Sequence, residues 1–160
     1  MLLALLFVLM NVDVASSDAS GNNRFGRLET TVSSCRITQA KRSMGCRRLQ
    51  LTQTSVIGLR IRFIGESPEQ PGRTHQLTFV TRLGSRDPVL SCQNGRCNLA
   101  ATSWNGKITS HSWVFFDKRG LPIGLPGSRP TQGRCTFSNG RLSCQSQSRD
   151  GLNLSAEAQL

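Results

Sequence analysis

The feature that most restricts this chain is a pair of short cysteine loops built on Asn-Gly: CQNGRC at Cys92–Cys97 and CTFSNGRLSC at Cys135–Cys144. Asn-Gly is the favoured two-residue hairpin loop because both central positions need φ > 0. With Asn94-Gly95 as the loop, Gln93 faces Arg96 and Cys92 faces Cys97. With Asn139-Gly140 as the loop, the pairs run outward until Cys135 faces Cys144. Each cysteine pair falls on a non-hydrogen-bonded position, where Cα atoms lie about 4.5 Å apart and a disulfide closes without distortion. Two hairpins in register leave Cys35 and Cys46 as the third pair of the six cysteines. A zinc site needs clustered Cys and His at ligand spacing, and no Cys-x₂-Cys occurs in the sequence. No metal and no cofactor are therefore expected.

Disulfides belong to oxidising compartments, and the start of the chain agrees. Residues 2–10 read LLALLFVLM, too short for a bilayer span of about 20 residues but suited to the apolar core of a secretory signal. Small residues follow, with Val14 and Ser16, or Ser17 and Ala19, placed for cleavage. No Lys or Arg precedes the run, so a second reading keeps it as a membrane-inserting segment with an earlier start. The expected organisation is a signal peptide or membrane-inserting segment at 1–16, a Ser/Asp/Asn/Gly linker at 17–24 and a single domain at 25–160.

Within that domain the expected fold is mainly β (α+β): an N-terminal helix followed by an antiparallel meander with disulfide-bonded hairpins. Phe25, Leu28, Val32 and Cys35 recur at steps of three and four, which suits a helix face. From Ile57 the period changes to two, through Leu59, Ile61 and Phe63, and again through Leu77 and Phe79. GESPEQPGRT reads as a loop and GLPIGLPGSRPTQG as a long loop. The tail from Ser146 carries no strong pattern. A third Asn-Gly, Asn105-Gly106, predicts a middle hairpin. Its register puts Leu90, Cys92, Cys97, Leu99, Ala101, Ile108 and Val114 on a core face. Trp104, Lys107, Thr109, His111, Trp113 and Phe115 fall on the other. Trp104, His111, Trp113 and Phe115 then form either a stacking platform for bases or sugar rings or a surface covered by the Phe25–Val32 helix.

Charge is the sharpest compositional signal. There are 20 Lys+Arg against 9 Asp+Glu, a formal net charge of +11, and most of the cations are Arg. Thr30 to Gly65 holds no acid, and Arg60 and Arg62 alternate away from the core side of their strand, as Arg82 does on the next. Arg pairs bidentately with phosphate, sulfate or carboxylate. The expected polyanion surface is Arg42, Arg47, Arg48, Arg60, Arg62 and Arg82, its partners nucleic acid, acidic polysaccharide or an anionic envelope surface. Contact with a membrane is expected only through the N-terminal segment, where that segment is not cleaved. Catalytic sets are scarce. Of the two histidines, His75 reads as a loop or strand-start residue, and His111 lies between Ser110 and Ser112, which point to the opposite face of a strand. No catalytic residue and no enzymatic activity are assigned.

One resemblance is visible. The apolar start, helix, sheet and C-terminal disulfide are similar in layout to type IV pilin-like proteins and minor pseudopilins. Trp113-Val114-Phe115-Phe116-Asp117-Lys118-Arg119-Gly120 resembles the aromatic-Asp-x-x-Gly strand end of minor pseudopilins, with the Asn139-Gly140-Arg141 hairpin after it. The resemblance implies a filament subunit. The sequence departs from it at the N-terminus, where no Gly-Phe-Thr-Leu-x-Glu processing motif precedes the apolar run. The leading expectation is an exported, non-enzymatic cell-envelope or extracellular binding or structural domain. A pilin-like subunit and a small basic secreted nuclease or hydrolase are the alternatives.

Overall fold

A computed structural model describes residues 25–160 apart from Gly95. The signal or membrane segment at 1–16 and the linker at 17–24 lie outside the described residues. Among the described residues twelve strands are present: β1 Gly26–Thr31, β2 Ser34–Gln39, β3 Arg42–Gly45, β4 Arg48–Gln53, β5 Gly58–Glu66, β6 Thr74–Leu83, β7 Leu90–Gln93, β8 Arg96–Leu99, β9 Ser103–Phe116, β10 Pro122–Ser138, β11 Arg141–Ser148 and β12 Asn153–Gln159. β7 and β8 form a separate hairpin, and the other ten make one sheet in the order β1-β4-β5-β6-β9-β10-β11-β12-β2-β3.

That sheet closes on itself. β1 and β2 are one run interrupted only at Val32-Ser33, and β3 and β4 are one run interrupted at Cys46-Arg47. The two runs fold back on each other as a hairpin through the β1–β4 and β2–β3 pairings. Across the interruption Val32 N–H donates to Arg47 O at 3.0 Å and Cys46 N–H to Cys35 O at 3.3 Å. β2 also pairs with β12, and β4 with β5. Following neighbours around returns to the start after eight antiparallel strands in chain order. This is an up-and-down barrel, the closure that removes unpaired edges from a sheet.

Eight strands enclose a space that side chains can fill, and the filling is lopsided. The inward positions of β4 to β6 carry Leu49, Leu51, Leu59, Ile61, Phe63, Leu77 and Phe79, all fully buried, with Phe63 and Phe79 edge to face at 6.1 Å. Facing them, β10 to β12 offer Gly133, Cys135, Cys144, Ser146, Ala156 and Ala158. Phe137, Leu142 and Leu154 on the same strands add bulk, and the small residues beside them make room for the large wall opposite. The β7–β8 hairpin caps one end with buried Val89 and Leu90, and Leu90 N–H donates to Gln53 Oε1 at 3.1 Å.

The disulfides are Cys92–Cys97, Cys135–Cys144 and Cys35–Cys46. The two hairpin pairs lie directly opposite in register with Cα atoms 4.0 Å apart. Asn139 and Gly140 both have positive φ, at 51° and 72°, as the Asn-Gly turn requires. Three expectations fail, and the tail, which carries no strong pattern, is a strand. The Phe25–Val32 helix is strand β1, whose Leu28 and Thr30 alternate toward β4 opposite Leu51 and Leu49; consecutive β-branched Thr30, Thr31 and Val32 favour the strand. The fold is thus all-β among the described residues. Asn105-Gly106 is not a turn, and neither residue has positive φ. Gly106 lies mid-strand in β9 between Leu83 and Cys135, where an added Cβ would stand 3.2 Å from Thr81 Cβ. Its glycine serves close strand approach. The Gly/Pro-rich 120–133 segment is mostly strand β10, with register shifts at Ile123/Gly127 and Pro130/Gly133 absorbing the irregular residues. The tail forms β12, which buries Leu154, Ala156 and Ala158.

The tight β10–β11 wall makes a measurable prediction. A Cβ at Gly133 would lie 2.1 Å from Gln145 O and 2.7 Å from Ser146 Cα, backbone atoms that move only if the ladder parts. Gly133→Ala should cost about 2–3 kcal/mol in urea unfolding. Gly127→Ala, on the same strand with nothing within 4 Å, should stay within about 0.5 kcal/mol of the parent. Equal midpoints for the two variants would contradict this packing.

Candidate functional site

A β-bulge decides where the aromatic and histidine residues of β9 point. Val80 pairs with Ser110 and Thr81 with Ile108, so Thr109 is the extra residue, its hydroxyl donating to Val80 O at 3.2 Å. The bulge reverses the alternation. Ile108, opposite buried Thr81, and His111, opposite buried Phe79, therefore both face the interior. Straight alternation separates Ile108 from His111, and Val114, expected on the core face, points outward instead. Trp113 pairs with Leu77 and Phe115 with His75 on the same inner side. The expected face of Trp104, His111, Trp113 and Phe115 is thus an inner face, split between the two ends of the barrel.

At one end, Trp113 stacks on His75 with centroids 5.9 Å apart and planes 4° from parallel, and Phe115 lies 5.8 Å from Trp113. His75 Nε2–H donates to Gly45 O at 3.1 Å, tying β6 to β3 where the barrel closes. A Cβ on Gly65 would strike His75 Nε2. His75 is fully buried and Trp113 half-buried, so these two are packed closure, while Phe115 lies exposed at the rim. His111 is also buried, and its Nδ1 has no hydrogen-bond partner among the described residues. Burial lowers the pKa of His75, against the Gly45 hydrogen bond, which raises it. Burial also lowers that of His111, helped by the Arg129 charge and opposed by Asp150.

The expected arginines divide in two. Arg48, Arg60, Arg62 and Arg82 stand on the outer side of β4 to β6. Glu29 accepts from Arg48 at 2.8 Å and from Gln50 at 2.9 Å, and Gln50 Oε1 accepts from Arg62 at 2.9 Å. The Gln50 hydrogen bond, then Arg48, holds the Glu29 carboxyl below its ordinary pKa. Burial, then the Arg60 and Arg27 charges, lowers that of Arg62. Arg42, on β3, and Arg47, between β3 and β4, lie at the seam and do not join this wall. Pairing supplies cations that sequence reasoning missed: Arg82 is directly opposite Lys107, and Lys107 opposite Arg134. The three exposed cations form a row across β6, β9 and β10, strands that carry no carboxylate. No salt bridge among the described residues engages them. By contrast, the outer positions of β11 and β12, across the ring from β5 and β6, hold Ser143, Gln145, Gln147, Asn153 and Ser155, with Glu157 paired to Arg141 at 2.6 Å.

Trp104 stands at the opposite end from His75, its ring stacked on Phe137 at 6.0 Å and 23°. Beside the pair opens a groove of about 600 Å³ lined by Asp87, Trp104, Asn105, Thr136, Phe137 and Ser138, among others. Asp87 Oδ2 accepts from Ser85 Oγ at 3.1 Å. Trp104 Nε1 has no partner among the described residues. Asn105 and Thr136 are the next outward positions along β9 and β10 from Lys107 and Arg134, so the groove borders the cationic row. No group of three His, Cys, Asp or Glu placed to hold a metal occurs among the described residues. Comparison with protein-family models, curated proteins and solved structures gives no match for this chain.

The two buried histidines predict a pH dependence. Their folded pKa values lie below the ordinary value of about 6.5. Below that pH the unfolded chain takes up protons that the folded chain refuses, so stability is full above about pH 6.5 and falls as the pH drops toward the folded values. Asp117, held down chiefly by the Leu121 N–H, and Asp150, chiefly by the Ser148 hydroxyl, stay ionised through this window. Replacing both histidines by Gln should flatten the dependence of the urea midpoint on pH between about 5 and 6.5. A slope that survives the double substitution would remove the histidines as its cause.

Proposed function

We propose that this protein is an exported, non-enzymatic binding module that holds polyanions on the outer wall of its barrel. The observation that carries the reading is the Arg82–Lys107–Arg134 row. Like charges directly opposite on neighbouring strands destabilise a sheet, and their side chains start about 5 Å apart. A polymer with regularly spaced anions relieves that repulsion at each step. Arg60 and Arg27 extend the wall along a second row through Thr52. Three disulfide bonds suit an oxidising extracellular or envelope compartment, where acidic polysaccharide, nucleic acid and anionic envelope surfaces share this chemistry.

Contacts of this kind release counterions, so log affinity should fall against log salt by roughly 0.7–0.9 per phosphate contacted. For a short DNA duplex the row predicts a slope of roughly −2 to −3. Arg82→Glu with Lys107→Glu should flatten it by about two units and abolish retention on heparin at about 150 mM salt. Arg42→Glu with Arg47→Glu, at the seam, should have the smaller effect. A slope unchanged by the first pair, or no heparin retention by the parent, would overturn the reading.

A further inference from the structure

We propose that the groove beside Trp104 seats one pyranose ring of an acidic polysaccharide whose neighbouring anionic groups lie along the Arg82–Lys107–Arg134 row. The proposal rests on the polyanion reading and narrows it to a polymer class. Two features of the groove point to a sugar. The first is the stacked Trp104–Phe137 pair, an apolar floor suited to the C–H face of a saccharide ring and rigid because Phe137 is buried. The second is the set of hydrogen-bonding groups around that floor: the Asp87 carboxylate, the Asn105 amide and the Thr136 and Ser138 hydroxyls. Asp87 and Asn105 bring carbonyl-type oxygens that accept from ring hydroxyls, and a charged acceptor makes the stronger bond.

Nucleic acid fits this groove poorly. A phosphodiester backbone is rich in acceptors and brings its charge with them, and Asp87 repels it. A polyhydroxylated chain brings donors to Asp87 while its acidic groups remain free for the cations. The groove adjoins the row through Asn105 and Thr136, each two residues from a cation of the row, a distance of about 7 Å along a strand. One extended saccharide therefore reaches both without bending.

The test uses the full, oxidised chain with three probes: a trigalacturonate, an uncharged maltotriose and a DNA oligonucleotide of matched charge, titrated calorimetrically at about 150 mM salt. The trigalacturonate should bind most tightly. Asp87→Ala, on an exposed loop, should weaken it roughly tenfold or more, as loss of a hydrogen bond to a charged group does, and leave DNA binding unchanged or stronger. Trp104→Ala, which removes the aromatic floor, should weaken it severalfold without affecting DNA. Arg82→Glu should weaken both polyanions. If DNA binds as tightly as the uronate, or if Asp87→Ala and Trp104→Ala leave uronate affinity within twofold, the groove proposal is overturned while the cationic wall stands. If neither polyanion binds, both fall.

Discussion

Everything in this molecule depends on the pairing of β12 with β2. That ladder, Leu154 opposite Gln39 through Gln159 opposite Ser34, turns a meander of hairpins into a ring. Without it β2 and β12 would be open edges, and the small inner residues of β10 to β12 would have no filled interior to line. Closure also explains why a core with few aromatics is sufficient. The big side chains of β4 to β6 face Gly133, Cys135, Ala156 and Ala158 across the ring, and Ile37, Ile108, Phe137, Leu142 and Leu154 complete the filling. The disulfides reinforce this plan at different points. Cys135–Cys144 rivets two wall strands from inside, Cys35–Cys46 clasps the seam hairpin, and Cys92–Cys97 stiffens the cap, which packs on β1 at Gly26.

The bulge at Thr109 has consequences out of proportion to its size. It turns a strand that would otherwise bury Ile108 and expose His111 into one that buries both. The histidine–tryptophan stack becomes part of the barrel's closure, and Trp104, before the bulge, is left at the other rim beside open space. Packed closure and open groove are thereby separated along one strand.

The strands that alternate cleanly could be read from sequence: Leu59, Ile61, Phe63, Leu77 and Phe79 sit where period two puts them. Two of the three Asn-Gly turns could be read as well, with their cystines. The rest was hidden for identifiable reasons. Leu28, Val32 and Cys35 fit a helix by spacing, and Leu28, Thr30 and Val32 fit a strand equally well; only β4 as a partner decides. Gly106 imitates a turn because close packing and positive φ both select glycine. In β12 the inward residues include Ala156 and Ala158, whose contrast with Ser155 and Glu157 is too small to register as a pattern. The outward Arg60, Arg62 and Arg82 could be read from alternation. Lys107 and Arg134 join the wall only through register, and Asp87, Asn105 and Ser138 meet at the groove from three separate places in the chain.

The neutral wall of β11 and β12 acquires meaning once the cationic side is considered with it. A barrel basic on one flank and amide- and hydroxyl-covered on the flank across the ring carries a permanent charge asymmetry. Such a field turns a molecule during approach as well as accelerating it. Molecules arriving at an anionic polymer would present the Arg82–Lys107–Arg134 side inward and leave Gln145, Gln147, Asn153 and Ser155 outermost. A charged strand so coated would show its surroundings an uncharged, strongly hydrated exterior.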